Sequence, residues 1–400
     1  MQFGPIFRTL AHNKTRFILI SIEVALTLAI VVNCVNMMLH FRNQMNRPTG
    51  IDEQNILTVL SQPFAPAFKE KGYLNNSRKA DLEWLRAMPG VKQAEAISAI
   101  PLSGSGSSSG YKPLGAKMNT LSTGYFETGI HVLDTVGVRL LEGRNFIESD
   151  VNEAKSKNVI ITKGYADRLF PDGNALGKQI QGRTAENPHT IVGIIEPMHG
   201  SWPRWRFAHH VTFIPDEPGG FNWGVRYLVR TEPGQLSGMA PKIEEQLLKL
   251  NNGRNIKVES LAEIKAKTYE SNRAIIKMLS AVIFLLVFVT ALGIVGITSF
   301  SVTERTRHIG TRRALGARRI DIVQYFLLEN WIITSAGVSV GIGLCYALNY
   351  ALVTWVSGTK MDWRLVAIGV LMLWVTGLLS ALAPAVRGAR VSPALATRTV

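Results

Sequence analysis

The chain has 400 residues, 46% of them hydrophobic and only 18% charged, with a formal net charge of +15. That balance is too apolar for an ordinary soluble chain of this length and points to a membrane protein of two or three domains. The positive excess does not make it a nucleic-acid binder, because many of the Lys and Arg residues flank apolar runs instead of gathering on one soluble segment.

Residues 1–16 carry Arg8, Lys14 and Arg16 and no acid, and residues 17–39 then run apolar with Glu23 as their one charge. At about 1.5 Å per residue such a run crosses a hydrocarbon core of about 30 Å. A cleaved leader would have an apolar region of about 7–15 residues ending at small side chains. Asn36, Met37, Met38 and Leu39 stand there instead, so 17–39 is expected to remain as transmembrane helix 1. Three further uncharged runs come late, at 278–303, 331–359 and 365–386. Cys34 and Cys345 both lie inside apolar runs, as small packing residues and not as a disulfide or metal pair.

Four spans place both termini on one side. Segments 1–16, 301–328 and 385–400 hold 3, 6 and 3 Lys or Arg, whereas the short turn 357–364 has only Lys360 and Arg364. The positive-inside rule then puts 1–16, 304–330 and 387–400 in the cytoplasm, with helices at 331–356 and 365–386, and leaves 40–259 extracytoplasmic.

That large segment reads as mixed α/β. Residues 81–88 look like a helix ended by Pro89-Gly90, and 91–100 like the strand that follows. Ser103 to Gly110, SGSGSSSG, has no side chain to anchor a core and is expected to be a mobile loop. Strands are expected at 158–162, 190–195, 226–230 and 256–258, with helices at 163–170 and 241–250. No long repeat appears, so two small lobes are expected in place of one sheet. Ser260-Leu261-Ala262-Glu263 is a capping-box pattern, and no proline follows before Thr303. One continuous helix over 260–303 would be roughly 65 Å long, a stalk continuing into transmembrane helix 2.

Few residues suggest chemistry. DGNALGKQ at 172–179 is one residue short between its glycines for a phosphate loop and puts Gln179 where Ser or Thr would hold magnesium, so no nucleotide site is expected in this chain. His209 and His210, adjacent on a strand, would face opposite ways. No HExxH, CxxC or Gly-x-Ser-x-Gly accompanies them, and neither catalytic residues nor metal ligands are expected. Glu23, about 9 Å along the first helix, is expected to snorkel or to pair with a basic group near the cytoplasmic face, with a functional role as the alternative. Gly337-x-x-x-Gly341 offers a flat face for close helix contact, within the chain or between two copies.

The basic loop 304–330 has more pattern than topology requires. Positive charge for orientation explains its arginines. It does not explain Gly310 and Gly316 framing a short Leu-containing helix, followed by an amphipathic stretch at 319–326. That shape suits docking into a groove on a cytoplasmic partner, and Glu304, Arg305, Arg312, Arg313, Leu315, Gly316 and Ala317 are the candidate docking residues.

ERTRHIGTRRALGARRIDIVQYFLLEN, residues 304–330, resembles the loop of MacB/FtsX-type permease subunits of ABC transporters, whose usual form is close to ERxxEIGxxRAxGAxxxxIxxxFLxE. His308 stands where that pattern has Glu. MPGV at 88–91, VGVRLLEGRNF at 136–146, LFPDGNALGKQI at 169–180, IVGII at 191–195 and the terminal ARVSPALATR, with Pro393, Ala396 and Arg398, are similar to the family's extracytoplasmic core domain and tail.

The resemblance implies an α-helical protein of the bacterial inner membrane. It would have four transmembrane helices and a two-lobed mixed α/β domain between helices 1 and 2. It implies a dimer, with a second copy or a sister permease, and two copies of a separate ABC ATPase that holds the ATP and Mg, this chain binding no cofactor itself. Closure of the ATPase pair would pass through loop and stalk to move the outer domains, a mechanotransmission that exports or extracts a substrate; a periplasmic adaptor and an outer-membrane channel are further partners in such systems. The alternative is an FtsX-like regulatory module that activates an extracytoplasmic partner such as a wall hydrolase without transport. The size of the segment 40–277 favours the MacB side.

Overall fold

The computed structural model describes residues 14–151, 157–182, 188–218, 224–356 and 360–391. The expected cytoplasmic start at 1–13, the turn at 357–359 and the tail residues Pro393, Ala396 and Arg398 lie outside them. The chain divides into two compact units, Arg47–Glu270 and Met1–Asn46 with Ser271–Val400.

The first unit is a mixed α/β core domain. Strand β1 (Ile56–Pro63), helix α2 (Lys71–Ala87) and strand β2 (Val91–Ile97) form one β-α-β pass; β10 (Val225–Thr231), α6 (Met239–Leu250) and β11 (Arg254–Ser260) form a second. They interleave as β11-β1-β10-β2, all antiparallel, which is the split βαβ arrangement. Leu85 of α2, Ile243 and Leu247 of α6, and Val59, Tyr227 and Val229 of the sheet are 0–1% exposed in one cluster. Each such side chain stabilises the fold by roughly 1.5–3 kcal/mol.

Everything between β2 and β10 builds on the edge of that group. Strands β3 (Ser107–Pro113), β4 (Leu121–Thr128), β6 (Asn158–Thr162), β7 (Gln179–Gln181), β8 (His189–Ile195) and β9 (Val211–Pro215) run in the order β4-β3-β7-β8-β6-β9. Strand β9 then returns to pair with β4 in parallel, so the set closes on itself. Strand β5 (Leu140–Gly143), between the short helices α3 (Val132–Val136) and α4 (Glu148–Val151), adds to β8, and α5 (Lys163–Leu169) covers the set with Tyr165 fully buried. The two strand sets are joined among the described residues by the single pair Ile97↔Thr128. All eleven strands among the described residues therefore belong to one hydrogen-bonded sheet, where two small lobes were expected in place of one sheet.

The supposed mobile loop is also more ordered than its composition implied. Ser107–Pro113 is a strand, registered through Ser109↔Thr123 and Tyr111↔Leu121. Backbone pairing with β4 supplies what its small side chains do not. Residues 172–178 turn into β7 and not into a helix, with Gly173 and Gly177 at positive φ, so the near phosphate loop is a turn.

The expected stalk is corrected at its outer end. Helix α7 (Leu261–Thr268) starts at the capping box, where Ser260 Oγ accepts from the Glu263 N–H at 3.1 Å. Leu261 is fully buried, Lys265 Nζ lies 2.8 Å from Glu53, and Thr268 Oγ1 donates to the Leu102 carbonyl at 2.7 Å. These turns belong to the core domain. Tyr269, buried, breaks the helical run before α8 (Glu270–Glu304) begins.

Among its described residues the second unit holds four helices long and apolar enough to cross a membrane: α1 (Lys14–Met45), α8, α10 (Arg319–Val356) and α11 (Trp363–Ala389). Exposed Tyr350, Trp355 and Trp363 sit at adjoining ends of α10 and α11, where amphipathic rings anchor at a membrane surface. Small residues set the packing. A methyl group on Gly337 would stand 2.7 Å from the Ser21 carbonyl oxygen, and one on Gly341 3.0 Å from the Ala25 Cα. The GxxxG face of α10 thus packs on α1 of the same chain. Buried amides and hydroxyls add cross-links: Asn33 Nδ2 to the Cys345 carbonyl at 3.1 Å, Asn330 Nδ2 to the Gly377 carbonyl at 2.8 Å, and Thr27 to Thr290 at 2.8 Å.

Candidate functional site

The connection between α8 and α10 is short and strongly basic, with six arginines between residues 305 and 319. Helix α9 (Thr306–Ala314) follows α8 after Arg305 alone. Thr306 Oγ1 donates to the Val302 and Thr303 carbonyls at 3.1 and 2.8 Å, covering acceptors left open where α8 ends. Arg305 Nη1 reaches both oxygens of Glu329, at 3.1 and 2.9 Å. With side-chain exposures of 16% and 9%, the pair is mostly withdrawn from solvent.

On its inner face α9 is anchored. Ile309 packs with Val302, Ile322, Val323, Phe326, Ala385 and Ala389. Arg313 Nη1 donates to the carbonyls of Ala389 and Val391 at 3.2 and 2.7 Å, a cation on the open C-terminal carbonyls of α11. The Arg312 guanidinium sits 5.2 Å from the centre of the Tyr325 ring, within cation–π range.

The end of α9 turns sharply. The Gly316 N–H bonds the Arg313 carbonyl and the Ala317 N–H bonds the Arg312 carbonyl, a Schellman closure with Gly316 at φ +96°. Glycine is needed there because other L residues meet their own backbone at that φ. Asp321 Oδ2 then accepts from the Arg318 N–H at 2.8 Å, starting α10. These closures thrust Leu315 outward, 84% exposed, and Ile320 follows at 55%. Around them stand exposed Arg307, His308, Arg312, Arg318 and Arg319. The tip is apolar and ringed by cations.

The seven candidate docking residues therefore divide. Leu315 and Gly316 form the exposed tip, Arg312 flanks it and Glu304 is exposed, while Arg305 and Arg313 are turned inward as clamps and Ala317 packs against the buried cluster. Gly310 does not frame the helix; it is buried within it. The amphipathic stretch 319–326 is the start of α10, because no Gly or Pro separates it from the apolar run. Ile320 is the residue the loop pattern hid: it reads as one member of that amphipathic face, and only its 55% exposure sets it apart.

The remaining candidates lie elsewhere. Glu23 has no basic partner among the described side chains; its carboxylate lies against Gly293 of α8, 2.7 Å from where a methyl group would be. His209 and His210 immediately precede β9 with rings 4.7 Å apart, and no group of three or more metal-ligating side chains occurs among the described residues. Along α8, Phe284, Leu285, Phe288 and Leu292 are 49–72% exposed, a wide apolar face that no helix covers among the described residues.

Four apolar helices carrying a large mixed α/β domain after the first, with a cation-ringed tip between the second and third, define a membrane permease with a periplasmic-type core domain. Residues 19–255 match the MacB-like periplasmic core domain and residues 280–393 the FtsX-like permease C-terminal domain. The chain belongs to the MacB/FtsX family of ABC transporter permeases. It is similar to the macrolide export ATP-binding/permease protein MacB of Neisseria gonorrhoeae, 30% identical over 68% of this chain and 42% of that protein. It is also similar to the probable syringafactin export ATP-binding/permease protein SyfD of Pseudomonas syringae, 28% identical over 70% of this chain and 41% of that protein. The chain thus spans about two fifths of the length of these curated relatives. Among solved structures it is similar to the periplasmic region of MacB from Actinobacillus actinomycetemcomitans, with a TM-score of 0.37 and 16% identity over 57% of this chain and 98% of that one.

Proposed function

We propose that this protein is the permease part of an ATP-driven export or extraction machine in the bacterial inner membrane, and that the tip at Leu315 and Ile320 is where an ABC ATPase engages it. The observation that carries this is the pairing of an 84% exposed Leu315 with a closure, Gly316 and the Arg305–Glu329 clamp, that holds it out rigidly. An apolar knob among arginines fits a groove with an acidic rim. ATP and Mg sit on the ATPase. Its closure pushes α9, the clamps pass the push to α8, α10 and α11, and α8 continues through Tyr269 to the core domain, which moves its substrate by mechanotransmission.

In this reading α9 is cytoplasmic and the core domain extracytoplasmic, its two strand sets acting as lobes about the Ile97–Thr128 link. The exposed face of α8 receives a second permease copy, and Gly337 and Gly341 serve the single chain. The names of the relatives, which join ATP-binding and permease functions, support an ATPase partner.

A crosslink tests it. With Leu315→Cys as the only accessible thiol of this chain, carrying a maleimide-linked benzophenone, illumination should join this chain to the ATPase in membranes, and the same label on Ser339→Cys, on an exposed part of α10, should not. Crosslinking at neither position, or equally at both, contradicts the assignment.

A further inference from the structure

A cavity of about 550 Å³ opens in the core domain where β2 hands over to β4. It lies in the size range of about 300–1,000 Å³ that suits small-molecule ligands. Ser98, Ser103, Ser105, Ser107, Glu127 and Arg226 supply its polar lining, and Ala99 and Ile100 a small apolar floor.

The two charges in it are opposite and do not answer each other. Arg226 Nη1 donates to the Ser98 carbonyl at 3.2 Å, and no carboxylate pairs with the guanidinium among the described residues. The Glu127 N–H donates to Ser98 Oγ at 2.9 Å, but the carboxylate has neither a hydrogen-bond nor an ionic partner among the described residues. Both side chains are half-buried. Burial, reinforced by the charge of Asp216, raises the Glu127 carboxyl, and burial lowers the Arg226 guanidinium. Charges drawn out of water and left unpaired are costly and gather where a ligand brings the missing partners.

The wall is already built. Leu102, fully buried at φ +63°, is held by its N–H to the Gly200 carbonyl at 3.0 Å, and Ser103 Oγ donates to the carbonyls of Ile100 and Ser105 at 2.7 and 2.8 Å. A side chain at positive φ persists only where its surroundings over-determine it. The Ser105 and Ser107 hydroxyls along this wall can meet successive peptide groups.

We propose that this cavity binds a short zwitterionic peptide, with its terminal carboxylate on Arg226, its ammonium on Glu127 and its backbone along Ser105 and Ser107. The volume and the run of hydroxyls suit several peptide units better than a two-carbon ethanolamine headgroup, the other common zwitterion near a membrane. Because the cavity lies wholly within the core domain, the assignment stands or falls separately from ATPase docking.

Calorimetry on the purified full chain in detergent tests it, with tetra-alanine, its N-acetyl and C-amide forms, and glycerophosphoethanolamine as probes. Tetra-alanine should bind saturably, and capping either end should weaken it by about tenfold or more. Arg226→Gln should erase only the preference for a free carboxylate, and Glu127→Gln only that for a free amine. Should either variant unfold, Ser105→Trp, at an exposed position on the rim, plugs the cavity and should abolish binding with unchanged melting. No saturable binding at millimolar tetra-alanine, affinity indifferent to capping and to these substitutions, or tighter binding of glycerophosphoethanolamine would each overturn the proposal.

Discussion

Arg305 and Glu329, 24 residues apart, close the α8–α10 connection like a buckle, with one guanidinium nitrogen bonded to both carboxylate oxygens at 3.1 and 2.9 Å. The two residues are the second position and the last glutamate of the loop motif, so its length is set by a contact between its ends. Glu329→Gln should destabilise the chain by roughly 1.5–3 kcal/mol, the worth of a hydrogen-bonded charge, and Arg305→Glu with Glu329→Arg should recover part of the loss. Thermal unfolding in detergent reads both; equal melting of Glu329→Gln and wild type would contradict the clamp.

Gly337 and Gly341 pack against Ser21 and Ala25 of α1. Gly337→Leu should lower stability by about 1–3 kcal/mol through overpacking while leaving the mass of the detergent-solubilised particle unchanged. A shift from dimer to monomer at undiminished stability would instead place this face between copies.

Asp81 and Arg254 form an ion pair in which both side chains are 1% exposed, with Nη2 2.8 Å from Oδ1 and the Tyr227 hydroxyl donating to Oδ2 at 2.7 Å. It ties α2 to β11. Asp81→Asn strands the guanidinium and should cost about 3–5 kcal/mol, whereas exposed Glu83→Gln on the same helix should cost under about 0.5 kcal/mol. Urea titration of the full chain checks the contrast.

Burial, aided by the charges of His209, Arg47 and Lys265, pushes His199 down to about 4, and burial lowers His209 and His210 as well. These rings are neutral when folded at pH 7. Unfolded histidine takes a proton near pH 6.5, so the stabilisation is fully present above that pH. It is lost as pH falls from about 6.5 towards 4, by up to about 3 kcal/mol for His199. Melting temperature should fall across this window, and less steeply in His199→Asn.

The sequence disclosed what composition and period can encode. Four apolar runs marked the membrane helices, 158–162 and 190–195 fell within β6 and β8 because β-branched residues dominate them, and 226–230 fell within β10, where Tyr227, Leu228 and Val229 stand between two arginines. Serine-rich β3 stayed hidden, since its register comes from β4, and so did the closure of β9 onto β4, which joins residues 124–128 to 211–215. At the tip, Gly316 and Leu315 were legible from the motif. The inward turn of Arg305 and Arg313 was not, because an arginine reads the same whether it meets a carboxylate, a helix end or a partner.

The most direct test of ATPase docking is ATP turnover by the reconstituted permease–ATPase complex in lipid nanodiscs, wild type against Leu315→Asp. Leu315 is 84% exposed, so the substitution should leave thermal stability within about 0.5 kcal/mol. Permease-dependent ATP turnover and co-purification of the ATPase should both fall by about tenfold or more, as for an apolar anchor exchanged for a charge at a docking centre. Wild-type association and turnover in Leu315→Asp would contradict the account.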